Sequence, residues 1–458
     1  MAVREVRWPR DAAEVARSLA RAGSWFWLDG SAGEPLGAPG VSYLGESARV
    51  RLAKRGRERE FLNELRRSGR ALRHASGGVG GWVAAFGYEF GVSLLGEDPA
   101  ADDAPPAFAL RADTVLVLDH ANGAAELRGL GERDLDAWLE RHGGALSSET
   151  TSPSEEESEQ GPPDARSQPD AHGGAAWRRS NADYLAEVEA CKEAIREGEA
   201  YVLCLTDTAE CEADGVDPLG LYLDLVRRSA GSTARGAVLV AGDRALVSAS
   251  PERFLSKRGP RVATHPIKGT RPRGETAEHD AILAAELAAD PKERAENLMI
   301  VDLMRNDLSR VCAPGSVRTE GFLRVETHPR VHQLVSTVAG ELREGLDAFD
   351  VLEACFPGGS MTGAPKRRAV QTLALLERAP RGLYSGCFGW LADDGDAELA
   401  MAIRCIELRG LGAPHARAAV GAGGGVTSDS VPAAELAEKQ LKAAPLLDAL
   451  ARASRRYD

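Results

Sequence analysis

The stretch ETAEHDAILAAELAADPKERAENLMIVDLMRNDLSRVC (275–312) is a long helical pattern between two β-rich parts of the chain. Because proline ends or kinks a helix, we expect two helices that meet near Pro291. Short β-rich runs precede the pattern at 200–208, 236–250 and 261–270, and strands and helices alternate after it. This mixed order lacks regular βαβ alternation, so it predicts an α+β fold rather than a doubly wound sheet.

One acidic stretch divides the rest of the chain. Residues 147–176, SSETTSPSEEESEQGPPDARSQPDAHGGAA, hold seven acidic residues against one arginine. Such a segment cannot bury enough apolar surface to offset the entropy of ordering. We expect a disordered linker or a long surface loop between an N-terminal region, residues 1–146, and a second region, residues 177–458.

Strand and helix patterns occur on both sides of this stretch. The runs WFWLDG (25–30) and TVLVLDH (114–120) predict strands. GGWVAAFGYEFG (80–91), rich in glycine and aromatic residues, predicts close-packed sheet backbone. NADYLAEVEACKEAIREG predicts an amphipathic helix that is capped by Asn181 and ends at Gly198.

The composition is that of an ordinary globular protein with an acidic balance. The 458 residues carry a net charge of −13, which argues against a nucleic-acid or anionic-membrane partner. Seven cysteines without a C-x-x-C pair argue against a zinc site and predict reduced thiols in the cytoplasm. The N-terminus has no apolar signal-peptide core, and no run of about 18 apolar residues predicts a membrane span.

The segment HPIKGTRPRG (265–274) holds a lysine on a stiff turn. A proline and a glycine bracket Lys268 and keep its backbone on a tight, non-helical path. The amine can act as a nucleophile if desolvation, or neighbouring cations such as Arg271, Arg273 or a metal, lower its pKa. From this pattern alone, a surface turn with solvated basic residues is the competing interpretation.

Two predicted helices each carry a pair of glutamates. Glu293 and Glu296 are three residues apart, as are Glu435 and Glu438, so each pair shares one helix face. Carboxylate oxygens suit Mg²⁺, and two such pairs predict a shared metal site. For a single pair, salt-bridged surface glutamates are the simpler interpretation.

Two glycine-rich segments predict ligand contacts. FPGGSMTGAPK (356–366) leads into a helix with Pro365 near its first turn and basic residues just inside. The free N–H groups of such a helix favour an anion, but the spacing fits neither nucleotide motif. GAGGG (421–425) predicts a loop whose backbone can approach a ligand closely.

Taken together, these segments resemble the chorismate-utilising enzymes, a family that includes anthranilate, isochorismate and salicylate synthases. The resemblance implies one α+β body in which two large antiparallel sheets pack together, with helices outside and the active site between the sheets. It also implies that residues 1–146 contribute to that body. The motifs that carry it, in family order, are PIKGTRPRG (266–274), KERAENLMIVDLMRNDL (292–308), PGGSMTGAPK (357–366), GLYSG (382–386), AIR (402–404) and GAGGGVTSDS (421–430).

The resemblance implies a role for each matching residue. Glu252 matches the general acid that protonates the departing C4 hydroxyl of chorismate, which requires a pKa raised by burial and nearby negative charge. Thr270 matches a contact to the ring substituents. The implied Mg²⁺ ligands are Glu293, Glu296, Glu435 and Glu438, and the implied contacts to the two substrate carboxylates are Tyr384, Arg404, the Gly423 and Gly425 amides, and Lys442.

Two positions distinguish branches of the family. Lys268 stands where anthranilate-type members have alanine, which implies that its amine attacks C2 before ammonia adds at C4 and expels it. Gln333 is a further predicted substrate-binding residue. It stands where anthranilate-type members have a histidine that is associated with pyruvate elimination. Glutamine cannot act as a general base. Both residues indicate amination at C4 to 4-amino-4-deoxychorismate.

The resemblance also implies partners. None of the cysteines lies in a Gly-x-Cys-x-Gly context, so we expect ammonia from a separate glutamine amidotransferase subunit. Tryptophan is a further candidate ligand of the N-terminal region, near WFWLDGSAG (25–33). The alternatives are component I of an anthranilate synthase and a non-catalytic regulatory protein that binds chorismate or tryptophan.

Overall fold

Antiparallel pairing joins all the strands named below, which form two large sheets. The computed structural model describes residues 2–31, 40–76, 80–147, 174–229, 235–328 and 331–454. The predicted linker lies almost wholly outside these residues. The strands are β1 (Ala2–Val6), β2 (Ser24–Asp29), β3 (Val41–Glu46), β4 (Val50–Leu52), β5 (Gly81–Phe86), β6 (Ala107–Ala112), β7 (Thr114–Asp119), β8 (Ala124–Gly129), β9 (Ala176–Trp177), β10 (Val202–Glu212), β11 (Arg235–Ala241), β12 (Arg244–Ser250), β13 (Arg253–Arg258), β14 (Arg261–Thr264), β15 (Ile267–Pro272), β16 (Arg318–Thr327), β17 (Val331–Glu341), β18 (Gly363–Ala364), β19 (Cys387–Ala392), β20 (Ala397–Met401), β21 (Cys405–Arg409) and β22 (Arg417–Val426).

Within the described residues, the first sheet has 12 strands in the order β1-β8-β7-β3-β2-β11-β12-β21-β22-β10-β18, with β9 on β10. The second has 10 strands in the order β15-β17-β14-β13-β20-β19-β5-β6-β4, with β16 on β17. Both sheets contain strands from before and after the predicted linker. The helices are α1 (Ala12–Leu19), α2 (Glu58–Ser76), α3 (Tyr88–Leu95), α4 (Glu132–His142), α5 (Gly144–Ser147), α6 (Asn181–Arg196), α7 (Pro218–Ser229), α8 (Ala277–Ala289), α9 (Pro291–Ser309), α10 (Ala348–Cys355), α11 (Lys366–Glu377) and α12 (Pro432–Ser454).

The main apolar core lies between the two sheets. Phe26 and Leu246 of the first sheet belong to the same buried cluster as Phe108 and Phe388 of the second. A second cluster joins the first sheet to α1, α4, α7 and α12. The predicted α+β fold with two packed antiparallel sheets and outer helices is therefore confirmed.

Local sequence explains the two helices of the 275–312 stretch. The Asp290 side chain accepts hydrogen bonds from the Lys292 and Glu293 amides at 2.9 and 3.1 Å, and Pro291 occupies the first helical position. An aspartate cap followed by proline is a favoured helix start. The predicted break near Pro291 is confirmed, and α9 carries Glu293 and Glu296 in its first turns.

Three local predictions were wrong. Residues 421–425 are not a loop but the middle of β22, paired with β10. The segment 80–91 is a strand only as far as Phe86, and then turns into α3. The cap of α6 is Ser180 rather than Asn181, because the Ser180 hydroxyl accepts the Asp183 amide.

None of the described helices is long and apolar enough to cross a membrane.

Candidate active site

Lys268 lies on β15, where pairing with β17 is irregular between Ile267 and Thr270. Gly269 has a φ of 82°, a conformation that favours glycine. A Cβ there would lie 2.8 Å from Leu287 and 3.0 Å from Glu293 Oε2. The glycine therefore lets the strand approach α8 and α9, and the Lys268 Nζ comes within 3.9 Å of Glu296 Oε2.

The charge surroundings of Lys268 differ from the prediction. Burial lowers the pKa of its amine, but nearby acidic groups, Glu296 foremost, outweigh this and leave the pKa above its usual value. Of the expected neighbouring cations, Arg273 pairs with Asp280 at 2.7 Å. Arg271 pairs with Asp290 at 2.7 Å and also lies 3.8 Å from Glu293 Oε1. The prediction of a lysine pKa lowered by its neighbours is wrong, because carboxylates surround the amine.

Glu252 is buried at the end of β12. Burial raises the pKa of its carboxyl to about 7, although a hydrogen bond from Ser360 and the charges of Lys268 and Lys442 oppose the rise. The Ser360 hydroxyl donates to Glu252 Oε1 at 2.8 Å. The pKa is thus raised as predicted, but by burial alone, since its charged neighbours are cations rather than anions. A carboxyl with a pKa near neutrality can donate a proton.

Three of the four predicted metal ligands, Glu296 of α9 and Glu435 and Glu438 of α12, approach the glycines of β22, whereas Glu293 of α9 lies against Gly269. A Cβ at Gly424 would lie 2.8 Å from Glu435 Oε2 and 3.5 Å from Glu438 Oε1, and one at Gly425 would lie 4.0 Å from Glu296 Oε2. Burial raises the pKa of Glu293 and Glu435, and neighbouring glutamates add to the rise. Facing carboxylates of this kind repel one another unless cations lie between them.

Cationic side chains already contact this glutamate cluster. Lys292 Nζ is 3.8 Å from Glu296 Oε1, and Lys442 Nζ is 2.6 Å from Glu438 Oε1. Within the described parts of the chain, no three His, Cys, Asp or Glu side chains are gathered closely enough to hold a metal ion. The donor chemistry, four carboxylates from two helices, nevertheless fits Mg²⁺.

The glycines of β22 bring its backbone against the predicted carboxylate-binding groups. Lys442 Nζ donates to the Gly423 carbonyl at 3.0 Å. A Cβ at Gly421 would overlap the Tyr384 ring, at 2.1 Å. Another at Gly425 would lie 3.6 Å from Lys268 Nζ. Side chains larger than hydrogen on this strand would therefore displace Tyr384 or fill the space beside Lys268.

Three further predicted site residues, Thr270, Gln333 and Arg404, make fewer contacts with the groups described above. Thr270 and Gln333 face each other in the β15–β17 register, with Thr270 exposed and Gln333 buried. Arg404 has a φ of 47° and an exposed side chain. Among the described residues, its guanidinium has neither a hydrogen-bond partner nor an ion pair, so it remains available to an anionic ligand.

The anion site predicted at the start of α11 is not supported by its basic side chains. Lys366 is buried and donates to Asp307 at 2.7 Å and to the Cys355 carbonyl at 2.6 Å. Arg367 bonds to the Leu95 carbonyl, and Arg368 pairs with Glu199. Each of these cations already has a carboxylate or carbonyl partner within the protein, so none is left to bind an anion.

Two residues at this site were missed. Ser360 was predicted only as part of a motif, and its bond to Glu252 depends on a contact across 108 residues of sequence. The other missed residue is Arg381, whose guanidinium is fully hydrogen-bonded, as described below. Neither contact had a sequence signal beyond the serine in PGGSMTG and the arginine before GLYSG.

A cavity of about 300 Å³ lies between the sheets, lined by residues from both the N-terminal region and the second region of the chain. Tyr43 and Trp390 stack in its wall, with ring centroids 5.2 Å apart. Leu28, Asp29 and Gly30 of the WFWLDGSAG segment also line it, together with Arg235 and Glu398, which pair at 2.8 Å.

A sequence profile of the family described as chorismate binding enzyme matches residues 24–448. Since the match spans most of the sequence, the chain belongs to this family, and the resemblance noted from its motifs is confirmed.

Individual relatives agree with this assignment. An aminodeoxychorismate synthase of Streptomyces griseus is 41% identical over 80% of this chain and 49% of the relative. An anthranilate synthase component 1 of Haloferax volcanii is 44% identical over 60% of this chain and 51% of the relative. The chain thus spans about half the length of these curated relatives. The crystal structure of anthranilate synthase component I from Streptococcus pneumoniae superposes with a TM-score of 0.73 at 27% identity, covering 89% of this chain and 92% of that one.

Proposed function

We propose that this protein aminates chorismate at C4 to give 4-amino-4-deoxychorismate. The observation that carries the proposal is that Lys268 and Glu252 lie in one region, called the cleft below, where the charge of each acts on the pKa of the other. The Lys268 amine has no hydrogen-bond partner among the described residues and lies 3.9 Å from Glu296, while buried Glu252 has a pKa of about 7. The similarity to the Streptomyces griseus relative supports the same activity.

In the first step, the neutral Lys268 nitrogen attacks C2 of the ring. Both conjugated ring double bonds shift, from C1–C2 to C1–C6 and from C5–C6 to C4–C5, and the C4–oxygen bond breaks. Glu252 gives its proton to the departing hydroxyl, which leaves as water. Ammonia then attacks C4, both double bonds shift back, and the C2–nitrogen bond breaks to release the lysine amine. Nitrogen ends on the carbon that lost the hydroxyl, and the enolpyruvyl group is retained.

The remaining residues hold the substrate. Tyr384, Arg404, the Gly423 and Gly425 amides, and Lys442 bind its two carboxylates in this proposal, and Thr270 contacts the ring substituents. Glu293, Glu296, Glu435 and Glu438 would hold Mg²⁺, which when bound would offset their charge and grip one substrate carboxylate. Before it can attack, the Lys268 ammonium must lose a proton, because the surrounding carboxylates favour its charged form.

Ammonia comes, in this proposal, from a glutamine amidotransferase partner in the cytoplasm, with free ammonium as a substitute. A separate lyase would then release 4-aminobenzoate from the product. Tryptophan, predicted for the N-terminal region, would occupy the cavity beside Tyr43 and Trp390.

Product analysis tests the proposal. Incubation with chorismate, Mg²⁺ and ammonium should give a product with the mass of 4-amino-4-deoxychorismate, and 4-aminobenzoate only after a lyase is added. Fluorescent anthranilate formed without a lyase would overturn it.

The second candidate is component I of an anthranilate synthase, which the 44% identity to the Haloferax volcanii relative favours. Buried Gln333, which cannot act as a general base, stands against it. A regulatory protein that binds chorismate or tryptophan without catalysis would show heat of binding by titration calorimetry and no product.

A further inference from the structure

Arg381 lies behind the cleft with every N–H group of its guanidinium hydrogen-bonded. Nε and Nη2 donate to the two oxygens of Glu377 at 2.8 and 2.7 Å. The other bonds go from Nη2 to the Cys204 carbonyl at 2.9 Å, and from Nη1 to the Met361 carbonyl at 2.7 Å and the Ser385 hydroxyl at 3.3 Å. An arginine with five donors can satisfy this arrangement, and a lysine with three cannot.

Three of the four residues that accept these bonds adjoin a group assigned to the reaction or a neighbour of one. Met361 follows Ser360, which hydrogen-bonds to Glu252. Cys204 is opposite Gly425 in the β10–β22 register. Ser385 follows Tyr384 along the chain. One buried cation thus joins the segments that carry the general acid, a backbone amide and a carboxylate contact.

Two neighbours fix Arg381 from the other side. The Tyr88 ring centroid lies 4.1 Å from the guanidinium carbon, within cation–π range. Glu89 accepts the Arg381 and Gly382 amides at 2.7 and 3.0 Å. Glu377 also accepts the amide and hydroxyl of Thr206 on β10, at 2.9 and 3.0 Å, so the ion pair is fixed to the strand that borders the glycines.

We propose that Arg381 is a positioning residue that holds the Glu252–Ser360 pair, Tyr384 and the β10–β22 strands in the relative placement that the reaction needs. The proposal rests on the proposed function, because it concerns the same cleft. Its physical basis is that displacements of about 1 Å in a catalytic group can slow a reaction on the order of 100-fold.

The test compares R381K with R111K. Arg111 is a matched control: it is buried, its Nη1 bonds to Asp393 at 2.7 Å, and it lies 5.6 Å from the Trp82 ring, outside the cleft. Both variants should lower the melting temperature. Only R381K should lower kcat/KM for chorismate amination, on the order of 100-fold, and only R381K should shift the basic limb of the pH profile that reports Glu252.

Folded R381K with the kcat/KM and pH profile of R111K would overturn the proposal. If R381K does not fold, E377Q takes its place, since it removes one acceptor from Nε while keeping the shape of the side chain. E377Q should move the same pH limb in the same direction, and an unchanged profile would overturn the proposal.

A failure of the proposed function is recognised separately, because wild-type protein would then give no C4-aminated product. In that case titration calorimetry with chorismate is the measurement. R381K should weaken binding relative to R111K, and equal affinities would contradict a positioning role.

Discussion

Lys268 in the cleft and Lys439 on α12 are two lysines in contrasting surroundings. Lys439 is fully buried, donates to Asp207 at 3.0 Å, and lies 3.9 and 4.4 Å from the ring centroids of Trp177 and Tyr184. Lys268 is partly exposed, and its nearest carboxylate oxygen is 3.9 Å away. Burial lowers the pKa of Lys439 despite Asp207, whereas acidic neighbours raise that of Lys268.

The contrast shows how the surroundings of a lysine that is fixed in the core differ from those of the lysine that is proposed to react. The Lys439 ammonium has a directed bond and two aromatic faces, so its position is fixed. The Lys268 ammonium lies among carboxylates without a directed hydrogen bond in the described structure, so its nitrogen can turn toward a ligand. Glu438, the residue just before Lys439, faces the cleft. One turn of α12 therefore carries both a residue packed in the core and a residue of the candidate site.

The largest expected effect is on Lys268. K268A should reduce C4 amination on the order of 1,000-fold or more, because the covalent step is lost. The rate of C4 amination is measured by mass spectrometry of the product in samples that are quenched at fixed times. The melting temperature should change little, since the amine has no short bond to lose. Full retained activity would remove the covalent step from the mechanism.

The next largest effect should be on the pH dependence of kcat/KM, which reports the protonation of Glu252. Its protonated form is the active one, so kcat/KM should fall as pH rises through about 7. The pKa is raised above the ordinary value of 4.5, so protonation also stabilises the fold. That contribution is complete below about 4.5 and is lost as pH rises through about 7.

E252Q provides the control for this profile. It should lower kcat on the order of 100-fold or more and remove the limb near pH 7. A limb that persists in E252Q would belong to another group.

A smaller effect is expected for Glu438. E438Q should raise the Mg²⁺ concentration needed for half-maximal activity by about tenfold or more, because metal sites lose that much when even a supporting partner is removed. E278Q, on the exposed surface of α8, is the control. An Mg²⁺ titration like that of E278Q would take Glu438 off the list of ligands.

The smallest effect on the reaction should come from Lys439. K439A leaves Asp207 buried without its closest cation and should cost about 3 kcal/mol of unfolding free energy, measured by denaturant titration. Its kcat should stay far closer to wild type than that of K268A. A loss of kcat equal to that of K268A, in folded protein, would break the comparison.

Much of the fold was predictable from particular residues. The break at Pro291, the helix of residues 181–196 and several strands follow from local capping and periodicity, and the motifs identified the family. The strand at 421–425 was missed because glycine has a low intrinsic strand preference. The segment pairs with β10 as a strand. Its residues are glycines because β10 and Tyr384 occupy the space that larger side chains would need.

The candidate site was predictable as a set of residues but not in its electrostatics. Lys268, Glu296 and Gly425 do come together, as do Glu435, Glu438 and Gly424. Of the two arginines expected near Lys268, Arg273 pairs with Asp280, whereas Arg271 pairs with Asp290 and also contacts Glu293 of the glutamate cluster. Such pairing depends on which carboxylate lies within about 4 Å, and local sequence patterns do not report that distance.

By itself, the sequence determined the α+β class, the family, and which side chains are candidates for the chemistry, because these follow from residue types at fixed local spacing. Only the tertiary structure decided the direction of the Lys268 pKa shift, the hydrogen-bond partner of Glu252 and the hydrogen bonds of Arg381. Burial and charge act through space, between segments that are far apart in the chain, such as Cys204 on β10 and Arg381, which are 177 residues apart.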